Sequence, residues 1–148
     1  MTRTGKDRET YTMLQHFSLR HLPALFFACA HCMGLVAGPL RGTVHVMEMY
    51  GFGPAITGVP EAQVAWEAGH GRTVALGLLM LGFYARRMYA ACDGVLVAAA
   101  WLGVNDFLVF RAQGDLAWAS FRLLGSLSFA VMGLFGITQG LRPERRTN

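Results

Sequence analysis

The sequence predicts an all-α fold: an integral-membrane four-helix bundle with a long first extramembrane loop. Three observations predict it. Hydrophobic residues make up 53% of the chain and charged residues only 15%, where an average soluble domain carries about 25% charged residues. Four apolar segments approach the roughly 20 residues that a helix needs to cross a bilayer. Lysine and arginine gather at the ends of those segments, mostly on one side. A compact soluble helical domain is the alternative class. The 148 residues suffice for one domain.

Residues 1–21, MTRTGKDRETYTMLQHFSLRH, are polar and hold no early apolar run, so no secretory signal is expected there. They read as a polar cytoplasmic tail and an interfacial lead-in to a transmembrane domain over 22–140. The first span covers about 22–40. Pro23 fits a first helical turn, where a missing N–H is harmless, and Gly38-Pro39 ends or kinks the far side. The second span, about 72–85, is short. The preceding PEAQVAWEAGHG either extends it from about residue 60 or forms a separate interfacial helix. Pro60 and Glu61 suit a helix start, and Gly69 and Gly71 suit a break. The third span runs over about 88–110 and the fourth over about 116–140, divided by RAQGD. Residues 141–148 are a basic tail.

With four crossings, nine lysines and arginines share one side, and Arg41, Arg72, Arg111 and Arg122 take the other. The positive-inside rule then puts both termini in the cytoplasm, and the endoplasmic reticulum is the expected membrane. Gly34 with Gly38, and Gly125, Gly133, Gly136 and Gly140 in the last span, suit close helix packing in lipid. Internal packing is the favoured reading and a homo-oligomer face the alternative. The net charge of +4 is modest, and no basic–aromatic pattern points to nucleic acid.

The stretch WLGVNDFLVFR places Asp106 at membrane depth, where a carboxylate is expensive and needs a partner or a task. Asp106 lies eight residues before Gly114 and Arg122 eight after it, so a hairpin puts both about 12 Å from the turn. Arg72 enters from the same side as a third member. Asn105 offers an amide. Glu67 and His70 share a face at i, i+3 spacing if that stretch is helical. The cluster is either an ion pair that locks helices together or a pocket able to hold an anionic or enolate-like group.

The stretches GHGRTVALGLLML and GVNDFLVFRAQGDLAW, with MYGFGP before them, resemble a family of small four-helix membrane proteins known as domain of unknown function 4267. The resemblance spans about residues 22–140. Gly69, Arg72 and Gly77 fit the first family motif, with Thr73 where the family usually has aspartate. Gly103 and Asp106 fit the second. The family often has a histidine early in the last helix; here that region reads ASFRLLG, with Arg122. The resemblance implies the four-helix fold and a retuned pocket, and no established reaction. Relatives among fungal secondary-metabolite genes imply, by association, a lipophilic natural-product substrate.

Several other patterns carry chemistry. CAHC, Cys29 to Cys32, has redox-pair spacing, which admits a membrane thiol oxidoreductase as an alternative. Cys92 is alone in its span, no second pair exists to relay electrons, and no further ligand motif completes a metal site. His31 suits either a proton shuttle or packing. Asp93 is expected to cap or to pair with Arg86 or Arg87. The connection 41–71 reads either as a lid over the pocket or as an interfacial segment anchored by Tyr50 and Trp66, with Glu48 or Glu67 the first choice for an acid or base from it. Trp101, Phe107, Phe110, Trp118 and Phe121 lie at the depth of the cluster, as interface anchors or as walls for an apolar substrate.

No redox-cofactor motif, phosphate loop or metal set is evident, so no cofactor is expected. The expected activity is an integral-membrane cyclase or isomerase acting on a lipophilic small molecule. Asp106 orients or protonates, Arg72 and Arg122 polarise a carbonyl, and Glu67 or His70 carries protons. Asn105, Trp101, Phe107, Trp118, Phe121 and Tyr50 form the substrate walls. The rival is a non-catalytic accessory or lipid- or metabolite-binding protein.

Overall fold

The computed structural model describes residues 17–140, and all regular structure among them is helical. A 3-10 turn, Leu19–His21, leads into α1, Leu22–Cys32, with Pro23 in its first turn. Met33 interrupts the chain before α2, Gly34–Arg41, which carries Pro39 inside it. The expected single first span is therefore two joined helices. Gly42, at a φ of 82°, ends α2, a conformation that glycine adopts without steric cost.

The connection that follows is mostly helical: α3 is Thr43–Met49 and α4 is Pro54–Thr57. α5, Pro60–Ala85, runs unbroken for 26 residues. Gly69 and Gly71 do not split it. An interior glycine weakens a helix by about 1 kcal/mol, which a long flanking helix absorbs. α6 is Tyr89–Ala112 and α7 is Leu116–Leu134. The turn between them passes through Gly114 at a φ of 86°, and Asp115 caps α7 by accepting the N–H of Trp118 at 2.9 Å. α7 stops short of the expected residue 140, because turns at Gly136 and Gly140, both at positive φ, replace its last residues.

Among the described residues, three segments are long and apolar enough to cross a membrane: Leu19–Arg41, Tyr89–Ala112 and Leu116–Leu134. α5 is about 39 Å long at the rise of a helix, but Glu61, Glu67 and Arg72 lower the hydropathy of its first half. Large apolar side chains face outward on these segments, among them Phe26, Leu40, Leu124 and Leu134.

α1 packs on α5, and α6 packs along α7. Glycine permits both approaches. A Cβ on Gly77 would lie 2.8 Å from Cys32 Sγ and 2.9 Å from the Ala28 carbonyl. One on Gly103 would lie 2.5 Å from Ser126 Cβ, and one on Gly133 2.5 Å from the Asp93 carbonyl. Gly34 and Gly133 thus serve internal packing, while Gly38 and Gly125 face open space. The core between the helix pairs holds Phe27, Met80, Tyr84, Cys92 and Leu96.

At the end of the bundle near the α5–α6 turn, His21 is buried, stacks on Tyr89 at 4.6 Å and lies 3.0 Å from the Tyr84 hydroxyl. The Ser18 N–H donates to the same ring nitrogen, so the Tyr84 hydroxyl is a donor there as well. Asp93 is buried beside them. It accepts the N–H groups of Thr138 at 2.9 Å and Gln139 at 3.0 Å, one on each carboxylate oxygen, and so caps the turns after α7.

Candidate functional site

The opposite end of the α6–α7 hairpin holds the second carboxylate. Gly114 and its neighbours turn the chain so that Asp106 and Arg122 face each other at equal depth. Arg122 Nε and Nη2 both donate to Asp106 Oδ2, at 2.7 and 2.5 Å. Two donors on one oxygen leave Oδ1 without a protein hydrogen bond among the described residues. The guanidinium also lies over the rings of Tyr50, at 5.1 Å, and Phe110, at 5.4 Å. Such cation–π contacts add to the ion pair where water is excluded.

The pair opens on a cavity of about 270 Å³. α6 contributes Leu102, Asn105, Asp106, Val109 and Phe110; α5 contributes Ala65, Trp66, Gly69, His70 and Thr73. These α5 positions recur at three and four residues, one face of a helix. His31 of α1 closes one side. Its Nδ1 lies 2.9 Å from the Phe27 carbonyl. A carbonyl only accepts, so Nδ1 carries the proton and Nε2 of the neutral ring is an acceptor.

Tyr50 and Phe52, from the turn between α3 and α4, cover the cavity. Phe52 packs on Phe110 at 5.0 Å and Tyr50 on Trp66 at 4.9 Å. Trp118 Nε1–H donates to the Tyr50 carbonyl at 2.8 Å and pins this cover to α7. The indole lies against Gly51, which takes a φ of 95°, and a Cβ there would be 2.3 Å from Trp118 Nε1. Burial pushes the Tyr50 hydroxyl up from the usual phenol range and Arg122 pulls it back, so it remains a neutral donor near neutral pH.

His70 stacks on Trp66 at 5.0 Å. The Thr73 hydroxyl donates to the His70 carbonyl at 2.8 Å, and His70 Nδ1 lies 3.4 Å from the same hydroxyl. His70 Nε2 is buried without a hydrogen-bond partner, pressed against Gly34, where a Cβ would lie 1.8 Å from it. His70 also borders a second groove, between α2, α3 and α5, whose walls include Thr43, Glu67 and Gly71.

The expected site residues divide. Asp106, Arg122, His70, Asn105 and Tyr50 line the one cavity. Arg72 does not reach it; it is exposed on α5. The expectation matched depth and ignored phase: two residues beyond His70, a side chain is rotated by roughly 200° to the far side of the helix. Glu67 lies in the second groove and accepts the Thr43 hydroxyl. Glu48 is exposed. Trp101 is 71% exposed and points away from the bundle, and Phe107 is half-buried outside the cavity lining. Trp118 and Phe121 stack on each other at 5.3 Å; Phe121 is exposed, and Trp118 acts on the site only through its bond to Tyr50. Sequence reasoning did not single out Phe52 or Thr73 as walls; the spacing Trp66–His70–Thr73 was the available signal.

Cys29 is exposed, Cys32 is half-buried and Cys92 is buried, and all three are free thiols. Cys29 and Cys32 border an apolar groove with Met33 and Leu40, away from the cavity. Among the described residues, no three His, Cys, Asp or Glu side chains converge as metal ligands.

Comparison of the chain with protein-family models, curated proteins and solved structures finds no match.

Proposed function

We propose that this chain is an integral-membrane, cofactor-independent isomerase or cyclase acting on a lipophilic small molecule that carries a carbonyl. One observation carries the reading: a carboxylate held through a single oxygen, beside a guanidinium, in an aromatic cavity. An ion pair whose only task is to join helices gains from using all its donors and acceptors and leaves no hollow. Here Asp106 Oδ1 stays free.

The chemistry follows from the residues. Asp106 Oδ1 removes a proton from a carbon next to the carbonyl. Arg122 stays charged and stabilises the developing enolate oxygen. In a β,γ-unsaturated carbonyl substrate the protonated Asp106 returns the proton to the γ-carbon, which moves the C=C bond into conjugation. In a substrate with a second carbonyl the enolate carbon instead adds to that carbonyl carbon, its C=O π bond breaks, and the new alkoxide takes the proton from Asp106. Electrons and protons balance within the substrate. His31 and His70 line the same cavity as auxiliary proton carriers. Trp66, Phe52, Phe110 and Leu102 exclude water and match an apolar body.

The proposal includes four crossings, with α5 as the second, both termini in the cytoplasm and the endoplasmic reticulum as the membrane. The outward apolar side chains of the three long segments support insertion, as does the nine-to-four split of basic residues. It also includes membership of the domain of unknown function 4267 family; the two stretches behind that resemblance contribute Gly69 and Asp106 to one cavity.

The test is expression in membranes supplied with candidate lipophilic precursors, comparing the wild type with Asp106→Asn. A new product formed by the wild type and lost in an inserted Asp106→Asn protein is the expected result. Equal product from both removes Asp106 from the chemistry. Saturable binding without turnover points instead to a metabolite-binding protein.

A further inference from the structure

The cavity's unused hydrogen-bond groups indicate which form of a ligand it takes. Asp106 and Arg122 neutralise each other, so the pair offers no net charge to a charged ligand. Besides His70 Nε2, which is pressed against Gly34, two acceptors remain without a donor among the described residues. Asp106 Oδ1 has none, because both Arg122 N–H groups go to Oδ2. His31 Nε2 is an acceptor, because Nδ1–H is bound to the Phe27 carbonyl. A ligand that buried these acceptors without a donor of its own would leave them unsatisfied, an expensive arrangement in a covered site.

Arg122 keeps the N–H groups of Nη1 for an oxygen on the same ligand, since only Nε and Nη2 bind Asp106. A hydroxyl meets both demands at once, donating its proton and accepting through its oxygen. The walls specify the rest. Tyr50, Phe52, Trp66, His70 and Phe110 present ring faces and edges from three elements. Flat aromatic walls suit a flat ring by offset or edge contacts. A volume of 270 Å³ equals about nine water molecules at liquid density, room for a small ring system and not for a whole long chain.

We infer that the cavity selects a neutral planar ring bearing a hydroxyl, a phenol or a cyclic enol, over the corresponding ether or ketone. The inference rests on the reading of this cavity as the substrate site. It adds that the enol side of the tautomer pair is the form held most tightly.

The test uses the full-length protein in lipid nanodiscs, with 2-naphthol and 2-methoxynaphthalene as probes. The methyl ether keeps the ring and the oxygen acceptor and lacks the donor. Equilibrium dialysis against empty nanodiscs subtracts partition into lipid. The expected result is one saturable site, with 2-naphthol held at least about tenfold more tightly than its ether, the factor that one good hydrogen bond supplies. Gly69→Phe reports location. Gly69 lines the cavity, and a Cβ there meets nothing within 4 Å, so the ring fills the cavity and abolishes saturable binding. Ala65→Phe, on the same wall, does the same if the first variant misfolds. Equal affinity for the two probes overturns the hydroxyl preference and leaves the site reading standing. Saturable binding that survives in a folded filled-cavity variant overturns the assignment to this cavity. No saturable binding of either probe overturns both this inference and the site reading beneath it.

Discussion

Asp93 and Asp106 sit thirteen residues apart on α6, yet Asp93 commits both oxygens to backbone N–H groups and Asp106 commits one oxygen to a side chain. Asp93 is 4% exposed, packed beneath the turns that follow α7. Asp106 is 30% exposed at its side chain and opens on a cavity. The difference teaches how to separate a structural carboxylate from an available one. What distinguishes them is whether the fold itself fills their hydrogen-bonding capacity.

The largest expected contrast lies in activity. Asp106→Asn lowers turnover of the product-forming precursor by about 10²- to 10⁴-fold, the usual range for loss of a general acid or base, while helical content by circular dichroism stays unchanged. Equal turnover would break the comparison, because Asp106 would then be as passive as Asp93. Asp93→Ala acts on stability instead. It removes two charge-assisted hydrogen bonds and lowers stability by about 3 kcal/mol, read as a lower Tm in detergent, with turnover per folded molecule unchanged.

The same contrast predicts smaller effects. Gly133→Leu forces a side chain against the Asp93 backbone and destabilises the α6–α7 pair by about 2 kcal/mol through overpacking. Trp118→Phe keeps the ring and loses the N–H to the Tyr50 carbonyl. That loss loosens the cover by about 1 kcal/mol and raises KM with little change in kcat. Arg72→Ala changes stability by less than about 0.5 kcal/mol and leaves turnover unchanged, whereas Arg122→Ala strands Asp106. A strong Arg72→Ala defect in activity would return that arginine to the site.

The site's central pair was legible because Asp106 and Arg122 flank Gly114 at equal distances, and a helical hairpin converts equal distance into equal depth. Arg72 was misassigned because depth alone does not fix rotation about α5. His70 and Trp66, in phase with Gly69 and Thr73, do reach the cavity. The end of α7 was not legible from hydropathy, since Phe135 and Ile137 continue the apolar run. The helix stops where Gly136 turns at a φ of 64° and where Asp93, distant in sequence, caps Thr138 and Gln139. The cover was half legible. Its length and aromatic content marked 41–71 as a lid or an interfacial segment, but the contact of Phe52 with Phe110 and the bond from Trp118 to Tyr50 are tertiary, and no local pattern encodes them. The break at Met33 has only Gly34 beside it as a local signal, the kind of isolated glycine that α5 tolerates at Gly69 and Gly71.

The most direct test of the central claim compares the two carboxylates in one experiment. Protein labelled with ¹³C at the aspartate carboxyl carbons is reconstituted in lipid, and the Asp93 and Asp106 resonances are assigned by their loss in Asp93→Asn and Asp106→Asn. The account predicts that 2-naphthol shifts the Asp106 resonance in a saturable way and leaves the Asp93 resonance where it is. An Asp106 resonance that does not move at saturating probe, or an Asp93 resonance that moves equally, contradicts it.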